Sequence, residues 1–71
     1  MSQRHAFTGK KLLEALHRLG FETVRIKGSH HVVRHPDGRR SVVPVHSGET
    51  IGPGLLRAIL RQTELSHEQL Q

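Results

Sequence analysis

Apolar positions in the first third of the chain recur with a helical period. Leu12, Leu16 and Leu19 fall at i, i+4 and i+7, with Leu13 and Ala15 beside them. The spacing predicts a helix over residues 9–19. Thr8 is a good N-cap, and Phe7 before it can pack on Leu12 as a hydrophobic staple. Gly20 is placed to end the helix in a left-handed conformation, with Phe21 folding back onto it.

The period then changes to two. In "FETVRIK", Val24 and Ile26 alternate with Thr23, Arg25 and Lys27, which predicts a half-buried strand. Gly28-Ser29 breaks it, and "HHVVRH", β-branched in its middle, reads as a second strand. "HPDG" has proline, aspartate and glycine where a tight turn wants them, with a bulge at Gly38. "RRSVVPV" is the third strand. Two short connections imply an antiparallel three-stranded meander. After the loop "HSGETIGPG", Pro53 suits a first helical turn. Leu55, Leu56, Ile59 and Leu60 then lie on one side of a helix over residues 53–62, with Arg57 and Arg61 off it. Ser66 and Gln69 are spaced as a capping box for a short C-terminal helical turn. The order is α-β-β-β-α, an α+β domain over residues 1–71. Two apolar helix faces cover one face of the sheet, and the other face is left to solvent or a partner.

Composition narrows the class. A chain of 71 residues buries only ~60% of its unfolded surface, so the core is thin. There are no cysteines, which excludes disulfides and cysteine-based zinc sites; a small core without disulfides suits a reducing cytoplasm or a partner that covers part of the surface. No segment approaches the ~20 apolar residues of a membrane span. The start, "MSQRHAFTGKK", lacks the apolar region of a signal peptide. Lysine and arginine number 11 against 6 acids, a formal charge of +5. Arg25, Lys27, Arg34, Arg39 and Arg40 fall between Thr23 and Gly48 with Asp37 as the sole acid there, so most of the excess lies in the sheet. Concentrated positive charge points to a polyanion, most often nucleic acid. Solvated strand-edge charge that blocks aggregation has the same signature.

The seven histidines are His5, His17, His30, His31, His35, His46 and His67. His31 and His35 share a strand face but lie ~13 Å apart along it, and His30 and His31 point to opposite faces. No spacing matches a metal-ligand pattern, so no metal or other cofactor is expected. His17 reads as helix surface, His67 as part of the terminal turn and His5 as a frayed end. His46 borders the Ser47-Gly48 loop and is a candidate second functional group. His30 is the strongest candidate. It opens a strand directly after Gly28-Ser29, with Arg25, Lys27 and Arg34 around it. An imidazole among cations tends to stay neutral, and a neutral imidazole can accept a proton. RNA carries its own nucleophile, the 2′-hydroxyl beside each phosphate. One base and nearby cations therefore suffice to cleave it, whereas DNA offers no such hydroxyl.

Taken together, the "LGF" after helix one, "KGSHHVVRHPDGR" and "VPVHSGETIGPGLLRAILRQTELSHEQL" resemble the HicA family of bacterial toxins over about residues 8–70. The resemblance implies a fold like a double-stranded RNA-binding domain and an activity of ribosome-independent mRNA cleavage that arrests translation. It assigns the catalytic role to His30, after the glycine-containing turn, and makes His31 only its neighbour. It also implies a HicB-type antitoxin that covers the active histidine, so that the chain is a monomer when free and part of a hetero-oligomer with its antitoxin. Arg25, Lys27, Ser29, Arg34, Arg39 and Arg40 are the candidate RNA-binding residues. Ser29 is a candidate to orient His30 or bond a phosphate, and equally a turn former. The proton donor to the leaving 5′-oxygen is left open between Lys27, Arg34 and water.

Two other functions share these features. A non-enzymatic module that binds double-stranded RNA has the same element order and a basic stripe. A protein-interaction domain can dock an acidic partner on the same face. A stacking platform for single-stranded bases is disfavoured, because Phe7 and Phe21 are the only aromatic rings besides histidine and both have structural roles.

Overall fold

A computed structural model describes residues 6–71; His5 lies outside them. Helix α1 spans Gly9–Arg18, with Leu19 as its C-cap. The Thr8 hydroxyl accepts from the Lys11 backbone N–H at 3.1 Å, satisfying one of the donors a helix start leaves open. Leu12, Ala15 and Leu16 are buried. Phe21 N–H returns to the Leu16 carbonyl at 2.9 Å past Gly20, whose φ of +98° makes the reversal possible.

Strands β1 (Glu22–Lys27), β2 (His30–Arg34) and β3 (Arg40–Pro44) form an antiparallel sheet in sequence order, with β2 in the centre. Gly28-Ser29 is the whole β1–β2 loop, since Lys27 pairs with His30. Gly28 takes φ +59° at the first loop position, as a type II′ turn requires. In the β2–β3 connection His35 N–H donates to the Arg39 carbonyl at 2.8 Å around Pro36-Asp37-Gly38. Gly38, at φ +103°, supplies the left-handed residue of a three-residue hairpin loop. Helix α2 spans Pro53–Thr63 with Pro53 in its first turn. A 3-10 turn, η1 (His67–Leu70), follows. In it Ser66 Oγ accepts from Gln69 N–H and Gln69 Oε1 accepts from Ser66 N–H, the expected capping box.

The helices cover one sheet face. Val33, Ser41 and Val43 turn toward them, and Val33 and Val43 share the core with Phe7, Leu12, Leu16, Phe21, Ile59 and Leu70. The buried hydroxyls in this layer have partners. Ser41 Oγ donates to Gln62 Oε1 at 2.6 Å and Thr63 Oγ1 to the Ile59 carbonyl at 2.8 Å, so the end of α2 is tied to β3. The two segments that lead into the helices also meet, through a bridge between Thr8 and Thr50 and a 2.7 Å bond from Ile51 N–H to the Phe7 carbonyl.

Two expectations fail. Val24 and Ile26 are not half-buried; they are 54% and 60% exposed. The core residues of the sheet come from β2 and β3, while β1 is an edge strand that adds none. A bulge between Thr23 and Arg25 also shifts the register, so the alternation read from the sequence breaks at Val24. In α2, Leu55 is 43% exposed, and the inward stripe is Leu56, Ile59, Leu60 and Thr63. A period of 3.6 places residues 56, 59, 60 and 63 on one face and leaves Leu55 at its rim.

Candidate functional site

The pairing register orders the open sheet face. Side chains of register partners point to the same side, and successive ones alternate. Lys27, His30 and Pro44 therefore form one row across the sheet, and Arg25, Val32 and Val42 the next. Glu22, Arg34 and Arg40 form a third. Arg25 and Lys27 are two residues apart in unbroken alternation, so both face the side of His30. The bulge at Val24 lies before them and reverses the facing of the strand's start, bringing Glu22 rather than Thr23 onto this side beside Arg34. Four cations thus share this face with a single acid, Glu22.

Arg25, Lys27, His30, Val32 and Val42 line a shallow recess of about 360 Å³. Its apolar lining is the half-buried Val32 and the exposed Val42. The His30 ring is exposed here, away from the helices. A larger groove of about 430 Å³ lies elsewhere, between the Phe7 segment, the start of α2 and η1. Its lining is mainly apolar, including Phe7, Ile51, Leu56 and Leu60.

Most other histidines are engaged. His17 Nε2 shares a 2.8 Å hydrogen bond with Thr23 Oγ1. His31 pairs with Ile26 and Val43 on the helix-facing side, where its Nδ1 is buried without a partner. His35 packs edge-on against Phe21, with ring centroids 5.1 Å apart. His67 does the same against Phe7 at 5.6 Å. His46 is exposed, and its Nε2 lies 3.3 Å from Ser29 Oγ, a hydrogen bond whose direction depends on the ring tautomer. Among the described residues, no group of three or more potential metal ligands converges.

The candidate RNA-binding residues divide in two. Arg25, Lys27, Arg34 and Arg40 stand exposed on the open face, the first two beside His30 and the other two farther along the sheet. Ser29 sits in the turn beside it, its hydroxyl on His46 and its carbonyl accepting from Val45 N–H at 2.7 Å. Arg39 is elsewhere. Its Nε donates to both Asp37 carboxylate oxygens, at 3.1 and 2.9 Å, and its Nη1 to the Thr63 carbonyl. Its guanidinium also lies 5.1 Å from the Phe21 ring centroid. The Arg39 side chain, and then its backbone N–H, hold the Asp37 carboxyl below its ordinary value of 3.8.

The contact between Ser29 and His46 was not read from the sequence, although its signal was there. Once the β2–β3 hairpin is closed around residues 36–38, counting outward pairs His30 with Pro44 and Ser29 with Val45. His46 then falls beside the β1–β2 turn.

The fold and this face define a small α+β domain with an exposed imidazole in a field of cations. The profile of the HicA toxin of bacterial toxin–antitoxin systems matches residues 9–65, and the chain belongs to that family. It is the toxin of a toxin–antitoxin pair, and an antitoxin is its partner. No curated protein matches the chain. Among the described residues, no helix is long and apolar enough to cross a membrane.

Proposed function

We propose that this toxin is an endoribonuclease that cleaves mRNA in the cytoplasm, with His30 as the general base. The supporting observation is the exposed His30 ring on an open sheet face, in one row with Lys27 and next to the row that carries Arg25. A phosphodiester laid along the face brings its non-bridging oxygens to Lys27 and Arg25, with Arg34 and Arg40 holding the neighbouring phosphate. His30 takes the proton of the 2′-hydroxyl. The 2′-oxygen bonds to phosphorus, and the bond from phosphorus to the 5′-oxygen breaks. The products are a 2′,3′-cyclic phosphate and a 5′-hydroxyl end. The cations offset charge that grows on the phosphoryl oxygens in the transition state. The nucleophile belongs to the substrate, so neither a nucleophilic side chain nor a metal is required.

The same face is the docking site for a HicB-type antitoxin. RNA and antitoxin exclude each other there, which couples inhibition to occupancy of the His30 recess.

The test uses labelled RNA with the purified chain in excess chelator. The expected outcome is shortened product from the parent and a 10²–10⁴-fold slower reaction from a folded His30→Ala variant. A band that shifts but stays intact would identify a non-enzymatic RNA-binding module instead. Undiminished cleavage by His30→Ala would remove the histidine from the mechanism.

A further inference from the structure

A base alone leaves the reaction incomplete, because the departing 5′-oxygen needs a proton as its bond to phosphorus breaks. We infer that His46 supplies that proton, and that Ser29 is the positioning residue that holds its ring. This inference rests on the ribonucleolytic reading above.

A proton donor must carry an N–H or O–H, lie exposed, and reach the phosphate that His30 serves. His30 is opposite Pro44, and the pairing runs on through Val45 N–H to the Ser29 carbonyl at 2.7 Å. His46 comes next. Two residues of extended chain advance ~7 Å and neighbouring strands lie ~5 Å apart. The two Cα atoms are therefore on the order of 8 Å apart, a separation that leaves room for a phosphate between two rings. The backbone is fixed as well, since Glu49 N–H closes a turn on the His46 carbonyl at 3.1 Å. A protonated imidazole has two N–H groups. His46 keeps the one on Nε2 directed at Ser29 Oγ, 3.3 Å away, and has the one on Nδ1 to give.

The alternatives are placed less well. Arg34 is four residues along β2 from His30, about 13 Å in a strand, which puts it at a different phosphate. Lys27 stands directly across from His30, where an ammonium meets the non-bridging oxygens. Among the other histidines, His17 is engaged with Thr23, His35 with Phe21 and His67 with Phe7. His31 lies on the helix-facing side of the sheet, opposite Val43. In the full step, the 2′-hydroxyl proton goes to His30 and the proton on His46 goes to the 5′-oxygen. Solvent then returns both histidines to their starting states.

A substrate with sulfur in place of the bridging 5′-oxygen tests this, because a thiolate leaves without being protonated. His46→Ala and Ser29→Ala are compared with the parent and with His30→Ala on both substrates, with circular dichroism to confirm folding. On the oxygen substrate His46→Ala is expected to lose 10²–10⁴-fold in rate and Ser29→Ala less. On the sulfur substrate both recover to near the parent, while His30→Ala stays slow on both. An equal loss by His46→Ala on the two substrates, or no loss on either, overturns the assignment. His46→Gln, which can still bond Ser29 but holds no transferable proton, is expected to behave as His46→Ala does; parent-like activity from it would also overturn the assignment. A parent that cuts neither substrate overturns the ribonucleolytic reading itself, and the inference with it.

Discussion

Gly28 shows how one residue sets the position of the site. Its φ of +59° is left-handed, and a Cβ added there would meet nothing within 4 Å. The demand for glycine is therefore one of backbone conformation and not of space. An L-residue in that conformation costs about 1–2 kcal/mol. Gly28→Ala is expected to lower stability by about that amount, read as a fall in the urea midpoint at unchanged slope, and Gly28→Asn by less. A midpoint equal to the parent's would mean that the turn relaxes to another type, and the row of Lys27 and His30 would shift with it. Residue type was legible here, because a glycine between two β-branched runs announces a turn. The sign of φ also follows from a two-residue loop. What the sequence hid was the facing of the neighbours. "HHVV" does not alternate, and only pairing to Val43 on one side and Pro44 on the other separates inward His31 from outward His30.

Gly9 controls how α1 meets β3. A Cβ on it would overlap the Pro44 carbonyl oxygen and crowd the Val45 Cα. Gly54, in the first turn of α2, has open space around its missing Cβ. Helix propensity alone favours alanine over glycine at either site by ~1 kcal/mol. Gly54→Ala is therefore expected to gain up to about 1 kcal/mol, whereas Gly9→Ala is expected to lose about 1–3 kcal/mol by overpacking. Paired denaturation curves decide it; a gain at both positions would show that α1 does not lie against the end of β3. That contact also bears on the site, since Pro44 and Val45 lead into His46. Both helices, the hairpin around Pro36-Asp37-Gly38 and the Ser66-Gln69 box could be read from local pattern, because caps and turns are written in adjacent residues. The exposure of β1 could not. "TVRIK" alternates as a half-buried strand does, and the bulge at Val24 and the reach of the helices are tertiary facts that no local window contains.

At the scale of the molecule, the charge excess of +5 becomes a surface because the fold leaves one sheet face uncovered. The sequence established the number of cations in the sheet but not their sides. Arg39 and Arg40 are adjacent in sequence and part company in space: Arg40 stands exposed beside Arg34, and Arg39 is bound to Asp37, Thr63 and Phe21. The difference is measurable through counterion release. Each phosphate neutralised on a single strand contributes about −0.7 to the slope of log affinity against log salt. Four open-face cations, Arg25, Lys27, Arg34 and Arg40, give an expected slope of about −3. The measurement is made in a His30→Ala background, so that bound RNA stays intact. Replacing Arg25, Arg34 or Arg40 by alanine is expected to make the slope shallower by about 0.7 each. Arg39→Ala is expected to leave the slope unchanged and to lower stability instead, because its guanidinium already has partners within the fold. A slope that responds to Arg39 as strongly as to Arg25 would place RNA on the β2–β3 turn rather than across the open face, and the His30 recess would no longer lie on its path.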